Sequence, residues 1–202
     1  MTGTLPPATP DCAGSRGRYP NELARTWQPA GAPAVRIRPL RLDDLELERR
    51  FVTGLSPASL YLRLQYYATQ PNERDLARLL DLDYYDRLAV AALADSTADS
   101  TAGPAIVGVA RYARLDNSRT AECAIVVADA WQGMGLGSEL MRALAAAARE
   151  RDIDALEGTA LGENQRIVGW ARRFGFAVRT EPNSGGLVKV TLQLRDVISE
   201  SQ

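Results

Sequence analysis

The residues of this chain best suited to chemistry lie within one stretch, Ala121–Met141, which reads AECAIVVADAWQGMGLGSELM. An acidic residue, Glu122, opens an apolar run. A turn with Gly133, Gly135 and Gly137 follows, and Ser138 stands at the start of a stretch with helical apolar spacing. Glycines let backbone N–H groups approach a ligand with no Cβ in the way. A helix that opens straight after them adds unpaired N–H groups and partial positive charge. The combination is an anion site suited to a pyrophosphate, with the Ser138 hydroxyl as an extra donor. A dinucleotide fingerprint would need a glycine where Ser138 stands, and a Walker loop would need Gly-Lys-Ser/Thr. The bland alternative is a glycine-rich turn with no ligand.

The inventory of other reactive groups is short. The 202 residues contain no histidine, which removes Ser-His-Asp and Cys-His catalysis and most zinc sites, so no metal is expected. Any general base is a carboxylate, a tyrosine, a cysteine or the lone lysine, Lys189. All other side-chain cations are arginine, which reads as base-composition bias of the source or, less simply, as a lysine-modifying enzyme sparing itself. Cys12 and Cys123 fall in an aperiodic segment and an apolar strand, so a structural disulfide is not expected. With no histidine to activate it, Cys123 is a poor candidate for a catalytic nucleophile.

These residues need a scaffold, and the periodicity outlines one. Residues 1–33 are rich in Pro, Gly, Ala, Thr and Arg and read as a flexible arm. VRIRPL from Val35 alternates as a strand. Asp43 or Asp44 caps a helix to about Thr53, Ser56-Pro57 opens a second and Asn72 a third. Leu88–Leu93, Ile106–Tyr112 and Glu122–Val127 form an antiparallel meander. ADSTADSTAGP (94–104) is the first loop between them, and Asp116-Asn117 the turn after the second strand. A helix from Gly135 to about Arg151, a strand Ala155–Thr159, a helix Asn164–Arg173 stopped by Gly175, and two closing strands near Ala177–Arg179 and Leu187–Leu194 complete the order. The fold class is α/β (α+β): a single domain over 34–195, with a mixed, mostly antiparallel twisted sheet flanked by helices and a tail at 196–202. Net charge is −1, so bulk electrostatics favours neither nucleic acid nor an anionic membrane surface. No apolar run suits a membrane span or a secretory signal, and a cytoplasmic location is expected.

Gln132-Gly133-Met134-Gly135-Leu136-Gly137 resembles the Q/R-x-x-G-x-G/A signature of the GNAT (Gcn5-related N-acetyltransferase) superfamily. Asn164, the apolar helix after it and Gly175-Phe176 resemble the second half of the pattern. Three segments are similar to the acetyltransferase domain of bacterial protein-lysine acetyltransferases that act on acyl-CoA synthetases: LSPASLYLRL (55–64), ARYARLDNSRTAECAIVV (110–127) and WQGMGLGSELM. The resemblance covers about Val35–Leu194.

The resemblance implies acetyl-CoA as co-substrate and an amine as acceptor. The backbone amides of Gln132, Gly133, Met134, Gly135, Leu136, Gly137 and Ser138 would hold the pyrophosphate. Ile125, Val126 and Val127 would pair with the pantetheine arm, and an N–H near Ile125 or Val127 would stabilise the thioester oxyanion. Asn164 would hydrogen-bond the pantetheine, besides capping its helix. Glu122 would be the base, partly desolvated on its apolar strand and so raised in pKa; as an ordinary strand residue it would simply face solvent. Small-amine members carry a tyrosine seven residues after the motif Asn; Ala171 stands there, with Tyr112, Tyr84 and Tyr85 as weaker substitutes. Arg142, Arg172 and Arg173 could meet the 3′-phosphate, and Asp81, Asp83 and Asp86 could steer a basic target. The acceptor is expected to be a protein lysine, as on an acyl-CoA synthetase. The alternatives are a small-amine acetyltransferase and a non-catalytic acyl-CoA sensor.

Overall fold

The structure is a computed structural model that describes residues 17–29, 31–64, 73–95, 103–116, 118–180 and 185–194. Its centre is an eight-stranded sheet in the order β1-β2-β3-β4-β5-β6-β8-β7. The strands are β1 (Arg25–Trp27), β2 (Val35–Pro39), β3 (Arg87–Ala94), β4 (Ala105–Arg114), β5 (Thr120–Val127), β6 (Ala155–Leu161), β7 (Ala177–Thr180) and β8 (Leu187–Gln193). Helices α1 (Leu45–Thr53), α2 (Pro57–Leu64) and α3 (Glu73–Leu79) precede β3; α4 (Leu136–Glu150) joins β5 to β6, and α5 (Gln165–Phe174) joins β6 to β7. All neighbouring pairs are antiparallel except β5 and β6. A helical crossover is what a parallel pair requires, and α4 supplies it.

The two faces of the sheet bury different things. β3 is apolar on both faces because it is central: Leu88, Val90 and Ala92 point towards α4, and Ala89, Ala91 and Leu93 towards α1. From α4, Leu136, Leu140 and Leu144 are fully buried against the sheet, each contributing about 2 kcal/mol of apolar burial. Gly108 on β4 makes the close approach possible, since a Cβ there would lie 2.9 Å from Leu140 Cδ1. On the other face the core is smaller, with Leu40, Phe51, Leu55, Leu60 and Leu80 around Val109. That side also buries charge. Glu48 on α1 pairs with Arg111 on β4, and Asp44 takes two bonds from Arg38, at 2.6 and 2.7 Å. Burial alone would raise the Asp44 carboxyl, but the Arg38 guanidinium and the Arg41 amide outweigh it and hold it below its usual range.

Helices and strands fall close to the predicted places. The Asn72 cap, most of the 94–104 loop and Asn117 lie outside the described residues, as do 1–16 and 195–202. The stretch read as a flexible arm needs correction where it is described. Arg25–Trp27 pairs with Val35–Ile37 as an edge strand, and Leu23 is buried in the α4-side core. Arg25 adds an ion pair of 2.6 Å to Glu139 in the first turn of α4. Three residues are too few for a periodic signal, so composition misleads there: the strand is held by a partner in the sheet and a carboxylate far along the chain.

Candidate active site

β5 and β6 pair only over Thr120–Glu122 with Ala155–Glu157, and then part. The last residues of β5, Cys123–Val127, remain bonded to β4 alone, so a cleft opens on their other side. Ala128 donates its N–H to Val107 O, in register with the β4–β5 ladder. By antiparallel alternation the N–H groups of Val126 and Ala124 also point to β4. Those of Ile125 and Val127 therefore face the cleft. Where the strands begin to part, Gly158 on β6 is required: a Cβ there would lie 3.0 Å from Cys123 O.

The cleft ends on the glycine turn. Gly133 and Gly135 adopt φ of 84° and 88°, a left-handed conformation that glycine takes without strain. Gly135 is the N-cap of α4, so the amides of Leu136, Gly137 and Ser138 form its open first turn. Gly137 packs under Ile125 and Val127: a Cβ there would meet their side chains at 3.6 and 3.8 Å. Gln132 ties the turn to the strand, donating from Nε2 to Val127 O at 2.9 Å and accepting from Arg166 Nη1 at 2.6 Å. The Ser138 hydroxyl accepts from Trp170 Nε1 at 2.9 Å. Leu136 is buried, whereas Met134 is exposed, so any contribution from Leu136 is through its backbone. Of the expected amide donors, Gln132 gives its backbone N–H to Asp129 O at 3.3 Å and is not available. Those from Gly133 to Ser138 come together in one turn at the mouth of the cleft, and a pyrophosphate fits them.

Asn164 lies across the cleft at the start of α5, where its Oδ1 accepts the Ile167 N–H at 3.2 Å. The capping expectation is met, and the amide nitrogen of the side chain is not consumed by the cap. Val126 and Glu122 share the opposite face of β5 from Ile125 and Val127, the face towards α1 and α2. Glu122 is exposed. The partial desolvation expected of it does not occur, because β5 passes beyond the cover of the helices at that end while α4 buries only the alternate residues.

The substitutes for a family tyrosine are placed elsewhere. Ala171 is buried in α5. Tyr112 is buried too and gives its hydroxyl to Tyr85 O at 3.0 Å; burial pushes its pKa far up. The Tyr84 hydroxyl donates to Leu40 O. Asp81, Asp83 and Asp86, expected as steering charges, are engaged locally: Asp81 and Asp83 with Arg87 at 2.6 and 3.5 Å, Asp86 with Arg114 at 2.6 Å. Of the three arginines considered for a 3′-phosphate, Arg142 and Arg173 line a cavity of about 420 Å³ with Ser138 and Trp170, while Arg172 does not.

Sequence reasoning missed three contributors. Arg166 holds its guanidinium beside the turn, with Nη2 3.6 Å from where a Cβ on Gly133 would be. Its place in the first turn of α5, two residues after the motif Asn164, was a usable signal. Trp27 on β1 lays its ring 3.8 Å from the Cβ position of Gly135. Asp129, just before the turn, accepts from Ser56 N, Ser56 Oγ and Ser59 Oγ at 3.2, 3.0 and 2.8 Å. Those bonds, the Ser59 hydroxyl foremost, hold its carboxyl below the ordinary value. Nothing in the spacing of residues 56, 59 and 129 announces that link.

Residues 59–176 match the acetyltransferase (GNAT) family. An acetyltransferase of Pseudomonas aeruginosa is 32% identical over 149 residues, 74% of this chain and 78% of that one. Acetyltransferase Pat of Mycolicibacterium smegmatis is 30% identical over 132 residues, 65% of this chain but 38% of its own length. Among solved structures, the GNAT domain of S. lividans PAT superposes with a TM-score of 0.78 at 26% identity, over 87% of this chain and 99% of that one. The chain belongs to the GNAT family and is an acetyl-CoA-dependent acyltransferase.

Proposed function

We propose that this acetyltransferase moves the acetyl group of acetyl-CoA to a lysine side chain of a folded protein, by direct attack with donor and acceptor bound together. The observation that carries the reading is the cleft between β5 and β6, which joins cleft-facing amides to the glycine turn. The amides of Gly133–Ser138 hold the pyrophosphate, with the Arg166 guanidinium beside them. Ile125 and Val127 pair with the pantetheine arm as an added strand would, Val126 lies between them, and Asn164 holds the arm from α5.

Glu122 prepares the nucleophile. A lysine ammonium, with a pKa near 10.4, is not nucleophilic until it loses a proton. The Glu122 carboxylate takes that proton, directly or through one water. The freed amine forms the C–N bond at the thioester carbonyl, and the amide of Ile125 or Val127 donates to the developing oxyanion. The C–S bond breaks, and the leaving thiolate, with a thiol pKa near ~8.5, takes through water the second proton that the nitrogen sheds on becoming an amide. An exposed Glu122 suits a large acceptor, which would itself exclude the water on docking.

The likeness to the PAT domain of S. lividans and to Pat of M. smegmatis supports a protein acceptor, with an acyl-CoA synthetase as the candidate and the cytoplasm as the setting. Ala171 in place of a tyrosine supports it as well. The test is radiolabelled acetyl transfer, comparing an acyl-CoA synthetase and a lysate with a panel of small amines. Mass spectrometry is expected to find acetyl-lysine at one site on the folded synthetase. Efficient acetylation of a polyamine or aminoglycoside with no labelled protein would assign the chain to small amines instead.

A further inference from the structure

The proposed base has a neighbour that the sequence did not point to. In the short parallel pairing of β5 and β6, Glu122 stands opposite Glu157. Glu157 Oε2 lies 2.9 Å from Nζ of Lys189 on β8. Lys189 is the single lysine of the chain. The β6–β8 register pairs Glu157 with Thr191 and Thr159 with Lys189. Alternation therefore puts Glu122, Glu157 and Lys189 on one face of the sheet, while Leu156, Ala160 and Val188 turn to the α5 side.

This face is the acceptor side of the cleft, and the distances are short. Neighbouring strands lie about 4.8 Å apart, so the backbone of Lys189 is two strand spacings across from that of Glu122, and two residues, or about 6.6 Å, further along. Its four-carbon stem crosses one of those spacings, because Nζ has reached the Glu157 carboxylate on β6, the strand that walls the cleft. The ion pair is partly open to water, with side-chain exposures of 39% for Lys189 and 26% for Glu157. A pair so exposed is held weakly, and its ammonium is free to leave. The one primary amine on any side chain of this protein thus stands at the lip of the site where amines are acetylated.

We propose that Lys189 is an acetylation site of the enzyme itself, modified within its own chain. The inference rests on the site read above, with Glu122 as base. Lys189 Nζ gives a proton to the Glu122 carboxylate and forms the C–N bond with the acetyl carbonyl carbon. The C–S bond breaks, and coenzyme A leaves as the thiolate, which takes through water the second proton that the nitrogen sheds on becoming an amide. The products are Nε-acetyl-Lys189 and free coenzyme A. Acetylation removes the charge that Glu157 balances, so its carboxylate is left beside Glu122 to receive an incoming ammonium.

The full chain incubated with radiolabelled acetyl-CoA and no acceptor tests this. Label is expected to approach one acetyl per chain and to resist hydroxylamine, as an amide does and a thioester on Cys123 would not. It is expected to map to Lys189 by mass spectrometry, to vanish in Lys189→Arg, and to form with a rate constant unchanged on dilution of the protein. Glu122→Gln slows it. Label retained in Lys189→Arg, a rate that falls on dilution, or equal rates in the parent and Glu122→Gln would each overturn the inference. If external amines are acetylated while Lys189 stays unmodified, the inference fails alone. If Glu122→Gln leaves external transfer unchanged as well, the reading of the site fails with it.

Discussion

The two sides of the cleft are built from different materials. On the α4 side the binding groups are backbone: amides of the glycine turn, of the first turn of α4 and of alternate residues of β5. They are held by an apolar core in which Leu136, Leu140 and Leu144 are fully buried. On the α1–α3 side the working groups are side chains, Glu122, Glu157 and Lys189, and charge is buried beneath them in the Glu48–Arg111 pair. A donor common to a whole family can be held by main chain, whose geometry survives sequence change. An acceptor that differs between relatives is met by side chains, which can be exchanged without disturbing the sheet.

The sharpest way to break this comparison is to put a side chain where the backbone does the binding. Gly135→Asp places a carboxylate where phosphates belong, on a residue with φ of 88°. Left-handed backbone alone costs a non-glycine residue about 1–2 kcal/mol. Calorimetry is expected to find acetyl-CoA binding lost, with circular dichroism confirming the fold, and Gly135→Ala separates strain from charge. A Gly135→Asp protein that binds like the parent would refute the loop assignment.

On the acceptor side, Glu122→Gln is expected to lower turnover by roughly two to four orders of magnitude. Acetyl-CoA affinity should not change, because Glu122 lies on the face of β5 opposite Ile125 and Val127. A parallel fall in affinity would mean that the two sides are not separate.

The next effect is on stability. Glu48 is buried to 1% exposure, and its Oε2 has no hydrogen-bond partner among the described residues. Its other oxygen accepts from Arg111, which also donates to Leu79 O at 2.9 Å. Removing one partner of a buried pair leaves the other charge uncompensated, so Glu48→Ala is expected to cost about 3 kcal/mol. Urea unfolding measures this as a lower midpoint at constant slope. A loss well under 1 kcal/mol would show that the pair is hydrated and the α1–α3 side is not a charged core.

The same contrast explains what could be read in advance. The glycine turn, its helix and Asn164 were legible because a local run of sequence specifies them: left-handed positions, a helix start and a cap are short-range features. The meander was legible from its alternating runs. The β5–β6 opening was not, since the one residue that marks it, Gly158, gains its meaning only from Cys123 O on the neighbouring strand. Nor was the row Glu122–Glu157–Lys189, which exists only through the register of three strands distant in sequence. Glu122 itself was identified, but its exposure was misjudged, because strand periodicity says which face a residue takes and not whether a helix covers that face at that point. β1 was missed for a related reason: Trp27 and Arg25 gain their meaning from Gly135 and Glu139.

A carboxylate link also joins the two sides, and its removal is the smallest effect expected. Asp129 stands between β5 and the glycine turn, and its carboxylate accepts from the start of α2 through Ser56 and Ser59. Ser56 also caps α2 by accepting from Ser59 N at 3.2 Å. Asp129→Asn keeps one acceptor oxygen and removes the charge. Because Asp129 is exposed, screening limits the loss to under about 1 kcal/mol. The pH dependence identifies the cause. The folded state holds the Asp129 carboxyl below its ordinary value. Its contribution is therefore complete above the unfolded pKa, near 3.9, and disappears as pH falls through the lower folded value. Urea unfolding of parent and variant at neutral pH and near pH ~3 should show a difference that narrows in acid. A difference of equal size at both would assign the effect to hydrogen-bond geometry and not to charge. The kinetic counterpart sharpens the comparison further: with the α2 link loosened, the KM for the protein acceptor should rise while that for acetyl-CoA stays put. A rise in both would show that Asp129 serves the glycine turn as much as the acceptor side.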